Sequence, residues 1–332
     1  MKSFLAALAG LVALGAAGST LAQDRITATH VFPANWVYSK SFLEFVKKAN
    51  DAGKGVYAIT VRGGPEAISM MEQPNAARDG VVDMVYSPCA FYAGTVPECD
   101  AVSASSIDGP TARKSGAYAA LNEAHIRRMG VLYLGWFDSG IRFNLWMTKP
   151  PKFDAQGNLD IKGLKVRGNP IYNAFFTNVL GAQVLNMPST ETYTALERGT
   201  IDLTGWTQIG VMEPNWDKFL KFRIEPPFFS TDLGVIINIR KWNALSEKTK
   251  EILTRVAIEH EISSIKALQK LRAEEFKELD KRGIKAVSMS PEAGKRFEAG
   301  AVQASLERMK ERMAKAGGRQ EADRFIKLFV PN

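Results

Sequence analysis

Between Ser246 and Gly283 the chain carries neither proline nor glycine. Its apolar residues Ile252, Val256, Ile262, Ile265, Leu268, Leu271, Phe276 and Leu279 recur there at helical spacing. At the usual rise, about 37 residues make a helix of roughly 55 Å. A single lobe is too small to cover that length. The spacing therefore predicts one helix laid across two lobes.

Two stretches supply those lobes, and both alternate strand with helix. In the first, Ile26–Phe32, Val56–Val61 and Val81–Val85 read as strands, separated by helices over 36–50 and around Met70 to Ala77. In the second, Ile161 to Trp206, the apolar runs Leu164–Val166 and Ile201–Thr204 bracket two capped helices. Asn169 can cap the first, with Pro170 at its opening position, and Gly181 can close it in the left-handed conformation. Ser189 can cap the second, and Gly199 ends it. Alternating β-α-β-α-β favours parallel sheets with helical crossovers. Ile141–Thr148 reads as a strand passing between lobes, Leu233–Ile239 as a return strand and Phe297–Lys315 as a final helix. The expected fold class is therefore α/β and two-lobed, each lobe a sheet flanked by helices. The expected division is 23–140 with about 235–270 in lobe I, and 141–234 with about 271–332 in lobe II.

The first residues point to export. Lys2 precedes the apolar run Phe4 to Ala17, and Thr20-Leu21-Ala22 offers small residues where a signal peptidase reads, so cleavage after Ala22 is expected. The run is short for a membrane span, and no other segment is long and apolar enough for one. The formal charge of +8 is dispersed among acids rather than gathered in a patch, which argues against nucleic acid as a partner. Cys89 and Cys99 are the only cysteines. Export permits a disulfide between them, and two buried thiols are the alternative. His30, His125 and His260 lack ligand spacing, so no metal site and no cofactor are expected.

Ligands of open parallel sheets sit outside the carboxyl ends of the strands. Arg167 and Trp206 fall there in the second stretch. Trp36, Glu66 and Tyr86 come after strands of the first, and Asn169 and Phe229 (or Phe228 in its place) are further candidates by position. Arg167 can offer a planar fork to a carboxylate, and Trp206 or Trp36 can cover a planar ligand. The plainer readings are an ion-paired surface arginine, core tryptophans and a helix-dipole role for Glu66.

Four spaced blocks carry a resemblance: Lys162-Gly163-Leu164-Lys165-Val166-Arg167, then Leu180-Gly181-Ala182, then Glu191-Thr192-Tyr193-Thr194-Ala195-Leu196-Glu197-Arg198-Gly199, then Asp202. With Gly80-Val81-Val82-Asp83-Met84 and Val96-Pro97-Glu98, the chain resembles the DctP-type periplasmic solute-binding subunit of tripartite ATP-independent (TRAP) transporters over nearly its whole mature length. The resemblance implies a type II-like binding-protein fold with a hinge-spanning helix. It implies a carboxylate clamp at Arg167, a second arginine at Arg142, a small organic acid as ligand and a membrane permease as partner. Monomer is the expected state and the periplasm the expected location. Many relatives carry Gly-Gln-Glu-Asn after the aspartate; here Leu203-Thr204-Gly205-Trp206 stands after Asp202, which is similar to members that bind keto or aromatic acids.

An exported enzyme is the rival class. The chain has no Gly-x-Ser-x-Gly elbow, no His-Glu-x-x-His and no phosphate loop. A receptor of another transport or sensor class is the third reading, because fold alone does not assign the partner.

Overall fold

Residue pattern and paired register agree on two sheets. The computed structural model describes residues 23–331, so the expected signal peptide over 1–22 lies outside the described residues. The first lobe opens with β1 (Asp24–His30), helix Val37–Ala52, β2 (Tyr57–Gly63), helix Gln73–Asp79 and β3 (Met84–Pro88), and closes with β4 (Val131–Trp136). The second holds β5 (Phe143–Met147), the small hairpin β6 (Lys152–Phe153) and β7 (Leu159–Asp160), then β8 (Lys165–Gly168), β9 (Gln183–Asn186), β10 (Leu203–Thr207) and β11 (Phe222–Glu225). The chain returns to the first sheet as β12 (Leu233–Asn238) and adds β13 (Lys285–Ser288) to the second. The sheet orders are β2-β1-β3-β12-β4 and β13-β11-β5-β10-β8-β9. The β1, β2 and β3 strands are parallel, as are β9, β8 and β10, while β12 runs antiparallel to β3 and β5 antiparallel to β10.

The predicted long helix is present as Glu247–Lys281. Ser246 caps it by accepting from the Thr249 N–H, and Gly283 at φ +80° ends the turn after it. Its first half packs against the first sheet and its helices. There the buried Glu261 pairs with Arg113 and accepts the Trp136 N–H at 2.7 Å. Its second half packs on the segment that follows β10. Glu275 accepts the Gly210 N–H at 2.9 Å, and Arg282 meets Asp217 at 2.6 Å.

Three local expectations shift. The stretch after Asn169 is not a regular α-helix, since Phe175–Val179 is π-helical. Its ends are as expected: Asn169 Oδ1 accepts from Ile171 N at 3.1 Å, and Gly181 has φ +66°. The last strand of that segment includes Trp206 rather than stopping before it. The final helix is Ala322–Phe329, after a longer Pro291–Lys315, because Phe325 and Phe329 still have core to pack against. Cys89 and Cys99 form a disulfide.

Candidate functional site

Parallel pairing of β8 with β10 sets Arg167 opposite Thr204, with Trp206 one pleat further on the same face. The Arg167 guanidinium lies 5.9 Å from the Trp206 ring. It is held by two bonds: Nε donates to Met187 O at 3.2 Å, and Nη1 to Tyr172 Oη at 2.8 Å. Tyr172 passes its own hydrogen to Gly205 O at 2.8 Å, which ties the arginine back to β10. Arg167 is only 1 % exposed, yet it makes no salt bridge among the described residues. A buried cation without a counter-charge is costly, and such a cation is a ready partner for an incoming anion.

The guanidinium opens onto a narrow cavity between the lobes. Lobe II contributes Phe143, Arg167, Asn169, Ile171, Trp206 and Thr207. Lobe I contributes Phe32, Tyr38 and Phe91, with Asp232 beside them on the returning chain. The walls are mainly aromatic and aliphatic; Phe32 meets Trp206 edge-on at 5.9 Å and Phe91 at 6.5 Å. Tyr38 Oη is sealed beside Thr207, and burial pushes its hydroxyl well above the usual tyrosine range. It therefore stays a neutral donor. Asp232 is also buried, and loss of solvent raises its carboxyl to about 7.

Of the residues expected from the sequence, Arg167, Trp206 and Asn169 come together in this cavity. Trp36 stands behind it. It packs edge-on against Trp206 at 5.8 Å and Trp216 at 5.9 Å, and fixes the indole that forms the wall. The others lie elsewhere. Arg142 turns outward, where it donates to Phe228 O and pairs with Glu298 at 2.9 Å. Glu66 is exposed and accepts from Gly64 N at 2.7 Å, which holds its carboxyl below the usual range. Tyr86 lies in the lobe I core, stacked on Phe42 at 5.1 Å and donating to Asp138. Phe229 and Phe228 pack with Phe175 under the second sheet, at 6.1 and 5.6 Å.

Sequence reasoning missed Phe32, Tyr38, Phe91, Phe143, Thr207 and Asp232. The strand-end rule could have found Phe32 and Phe91, which come after β1 and β3. It could not find Asp232, because β12 runs antiparallel and brings its amino end to the mouth. Cys89, Cys99 and His125 are the one cluster with metal-ligand atoms in reach of each other among the described residues. The two sulfurs are bonded to each other, so the set offers no thiolate.

Comparison with known proteins gives the family. The family described as bacterial extracellular solute-binding protein, family 7 (DctP), matches residues 28–312. The monocarboxylate 2-oxoacid-binding periplasmic protein of Nostoc sp. is 25 % identical over 258 residues, which is 74 % of this chain and 68 % of that one. The 2,3-diketo-L-gulonate-binding periplasmic protein of Escherichia coli is 29 % identical over 191 residues, 56 % of this chain and 57 % of that one. A TRAP periplasmic solute-binding protein of Desulfovibrio salexigens, solved with orotic acid, superposes with TM-score 0.79 at 16 % identity, covering 93 % of this chain and 99 % of that one. DctP7 of Bordetella pertussis, a receptor binding pyroglutamic acid, gives TM-score 0.77 at 15 % identity over 92 % of this chain and 99 % of that one. At those identities the structures establish the fold. No helix among the described residues is long and apolar enough to cross a membrane. Carried by the match over most of its length and by a two-lobed architecture shared with solved receptors, the chain belongs to the DctP family of extracytoplasmic solute-binding proteins, the receptors of TRAP transporters.

Proposed function

We propose that this receptor captures a small monocarboxylate bearing a keto, hydroxy or aromatic group, closes its lobes over it and delivers it unaltered to a TRAP permease. The observation that carries this reading is the buried, unpaired Arg167 facing an interlobe cavity. The names of the Nostoc and Escherichia coli relatives, a 2-oxoacid and a diketo acid binder, support the keto class. A bidentate clamp adds two charge-assisted bonds of roughly 1.5–3 kcal/mol each. Micromolar affinity needs about −8 kcal/mol, so apolar contact with Phe32, Phe143 and Trp206 supplies the remainder. The chain works as a monomer in the periplasm after loss of residues 1–22, and it breaks no bond in its cargo. Titration calorimetry with a panel of 2-oxo, 2-hydroxy and aromatic monocarboxylates tests the clamp. Arg167→Ala is expected to lose at least about 100-fold in affinity, in line with the loss of charge-assisted bonds. Unchanged affinity in that variant removes the assignment.

A further inference from the structure

Arg167 shares its cavity with one carboxyl group, Asp232, and the two come from opposite lobes. A role for Asp232 in recognition presupposes that this cavity is the carboxylate site proposed for the receptor. Asp232 is pinned by its backbone, whose carbonyl accepts the Cys89 N–H at 2.8 Å. Its Oδ2 accepts from Ala90 N at 2.6 Å and from Ser103 Oγ at 3.3 Å. No side chain of the described residues bonds to Oδ1. The charged and titratable groups around it give no counter-charge. Asp100 on the neighbouring helix is itself matched by Arg308 at 2.8 Å and Arg312 at 3.0 Å. Tyr92 and Tyr133 are buried and neutral. Arg167 stands across the cavity and makes no salt bridge to it.

Charge balance then decides the state of Asp232. Arg167 and an ionised Asp232 already sum to zero. A ligand carboxylate would leave one uncompensated negative charge in a closed, mostly apolar space, which is strongly disfavoured. With Asp232 protonated, the clamp and the ligand carboxylate neutralise each other, and the acid hydrogen becomes a donor. Burial has already moved the group most of the way there, to about 7.

We propose that Asp232 determines specificity in this cleft: it takes up one proton from solvent as an anionic ligand binds, and donates a hydrogen bond to a carbonyl or hydroxyl oxygen away from the ligand's carboxylate. The class that fits is a 2-oxo or 2-hydroxy monocarboxylate with an apolar tail lying against Phe32, Phe91 and Leu233. A second carboxylate on the ligand would add charge that nothing in the cavity balances. A zwitterionic amino acid would bring its own cation and leave Asp232 ionised.

The test is calorimetry with 4-methyl-2-oxopentanoate and its 2-hydroxy counterpart, in buffers of different ionisation enthalpy, between pH 6 and 9. Wild type is expected to take up close to one proton at pH 8 and to lose about tenfold in affinity per pH unit above about 7. Asp232→Asn keeps a donor without the charge; it is expected to bind with no proton uptake and no pH dependence. Zero uptake by wild type at pH 8 overturns the proposal. So does a loss of more than about 100-fold in Asp232→Asn with its near-ultraviolet dichroism intact, since the anion would then be the recognising form, as for a zwitterionic ligand. Arg167→Ala separates the two readings: if it binds like wild type the carboxylate site itself is misplaced, whatever Asp232 does. Failure of wild type to bind either probe overturns the ligand class stated here.

Discussion

The clamp proposed at Arg167 depends on the neighbours that aim it. Arg167→Lys keeps the charge but gives up the planar fork and the bonds to Tyr172 and Met187. It is expected to fold normally and to bind the 2-oxo acid panel at least about tenfold more weakly, a loss of roughly 1.4 kcal/mol or more by calorimetry. Tyr172→Phe leaves the arginine Nη1 without a partner and Gly205 O with only the Thr204 hydroxyl. Unfolding in urea is expected to show a loss of about 1–3 kcal/mol, and ligand affinity falls in the same variant. At this scale the sequence was informative about one lobe. Arg167, Asn169 and Trp206 lie at or just past parallel strands, whose carboxyl ends point to the mouth. Tyr38 and Asp232 are placed by a helix face and by an antiparallel strand, and neither position has a local signature. Arg142 and Tyr86 show the converse: residue type and position suited a site, but Phe228 O and Glu298 hold the one and the lobe I core the other.

Elements carry the site through close contacts that leave no room. Gly205 in β10 faces the Tyr172 and Phe176 rings; a Cβ there would stand 2.9 Å from Tyr172 Cε1 and 3.0 Å from Phe176 Cζ. Both rings are sealed between the sheet and the helix Pro291–Lys315. Gly205→Ala is therefore expected to cost about 1–3 kcal/mol in denaturant unfolding, the usual range for overpacking, and to disturb Arg167 through Tyr172. The π-helical turn at Phe175–Val179 has a related cause. Phe175 and Phe176 are adjacent in sequence and both fully buried, Phe175 against Phe297 at 5.0 Å and Phe176 against Tyr172 at 4.6 Å. A regular helix would set them about 100° apart. Apolar periodicity could announce a helix here, but packing decided its type. The disulfide is similar: the spacing of Cys89 and Cys99 left two readings open, and a Cα separation of 5.2 Å in the folded chain settles it.

For the whole molecule, the two lobes meet at the long helix and at the paired crossing segments, where Arg142 bridges Ser230 and Thr231 N donates to Ile141 O at 2.9 Å. Near this junction Glu275 is buried close to Glu213 of the same lobe and Lys40 of the other, and burial raises its carboxyl from 4.5 to about 7. The folded state thus holds this proton more tightly than the unfolded chain. The resulting stability is complete below about pH 4.5 and is lost as pH rises through about 7. Glu275→Gln keeps an acceptor for Gly210 N and lacks that loss. Thermal unfolding should show the variant gaining on wild type between pH 5 and 8, by an order of 1–3 kcal/mol at the upper end. A constant difference across that range would refute the burial argument. His125 and His260 move the other way. Burial lowers both to about 4, so their contribution is present above about 6.5 and fades as pH falls toward 4. Small-angle scattering with and without ligand checks lobe closure: a smaller radius of gyration on binding is expected.

Periodicity, proline and glycine chemistry and the parallel-sheet rule all act over a few neighbouring residues. They were enough to read the class of fold from the chain alone, together with the helix too long for one lobe, the ends of most strands and helices, and an arginine at a strand end that lines the cavity. Which side chains share the cavity was settled at a longer range, by how the lobes fold against each other. Asp232 and Arg167 are 65 positions apart in the chain, and their common space exists because β12 returns antiparallel to lobe I while β8 lies in lobe II. Burial and charge balance are properties of that shared space. No local stretch of residues contains them.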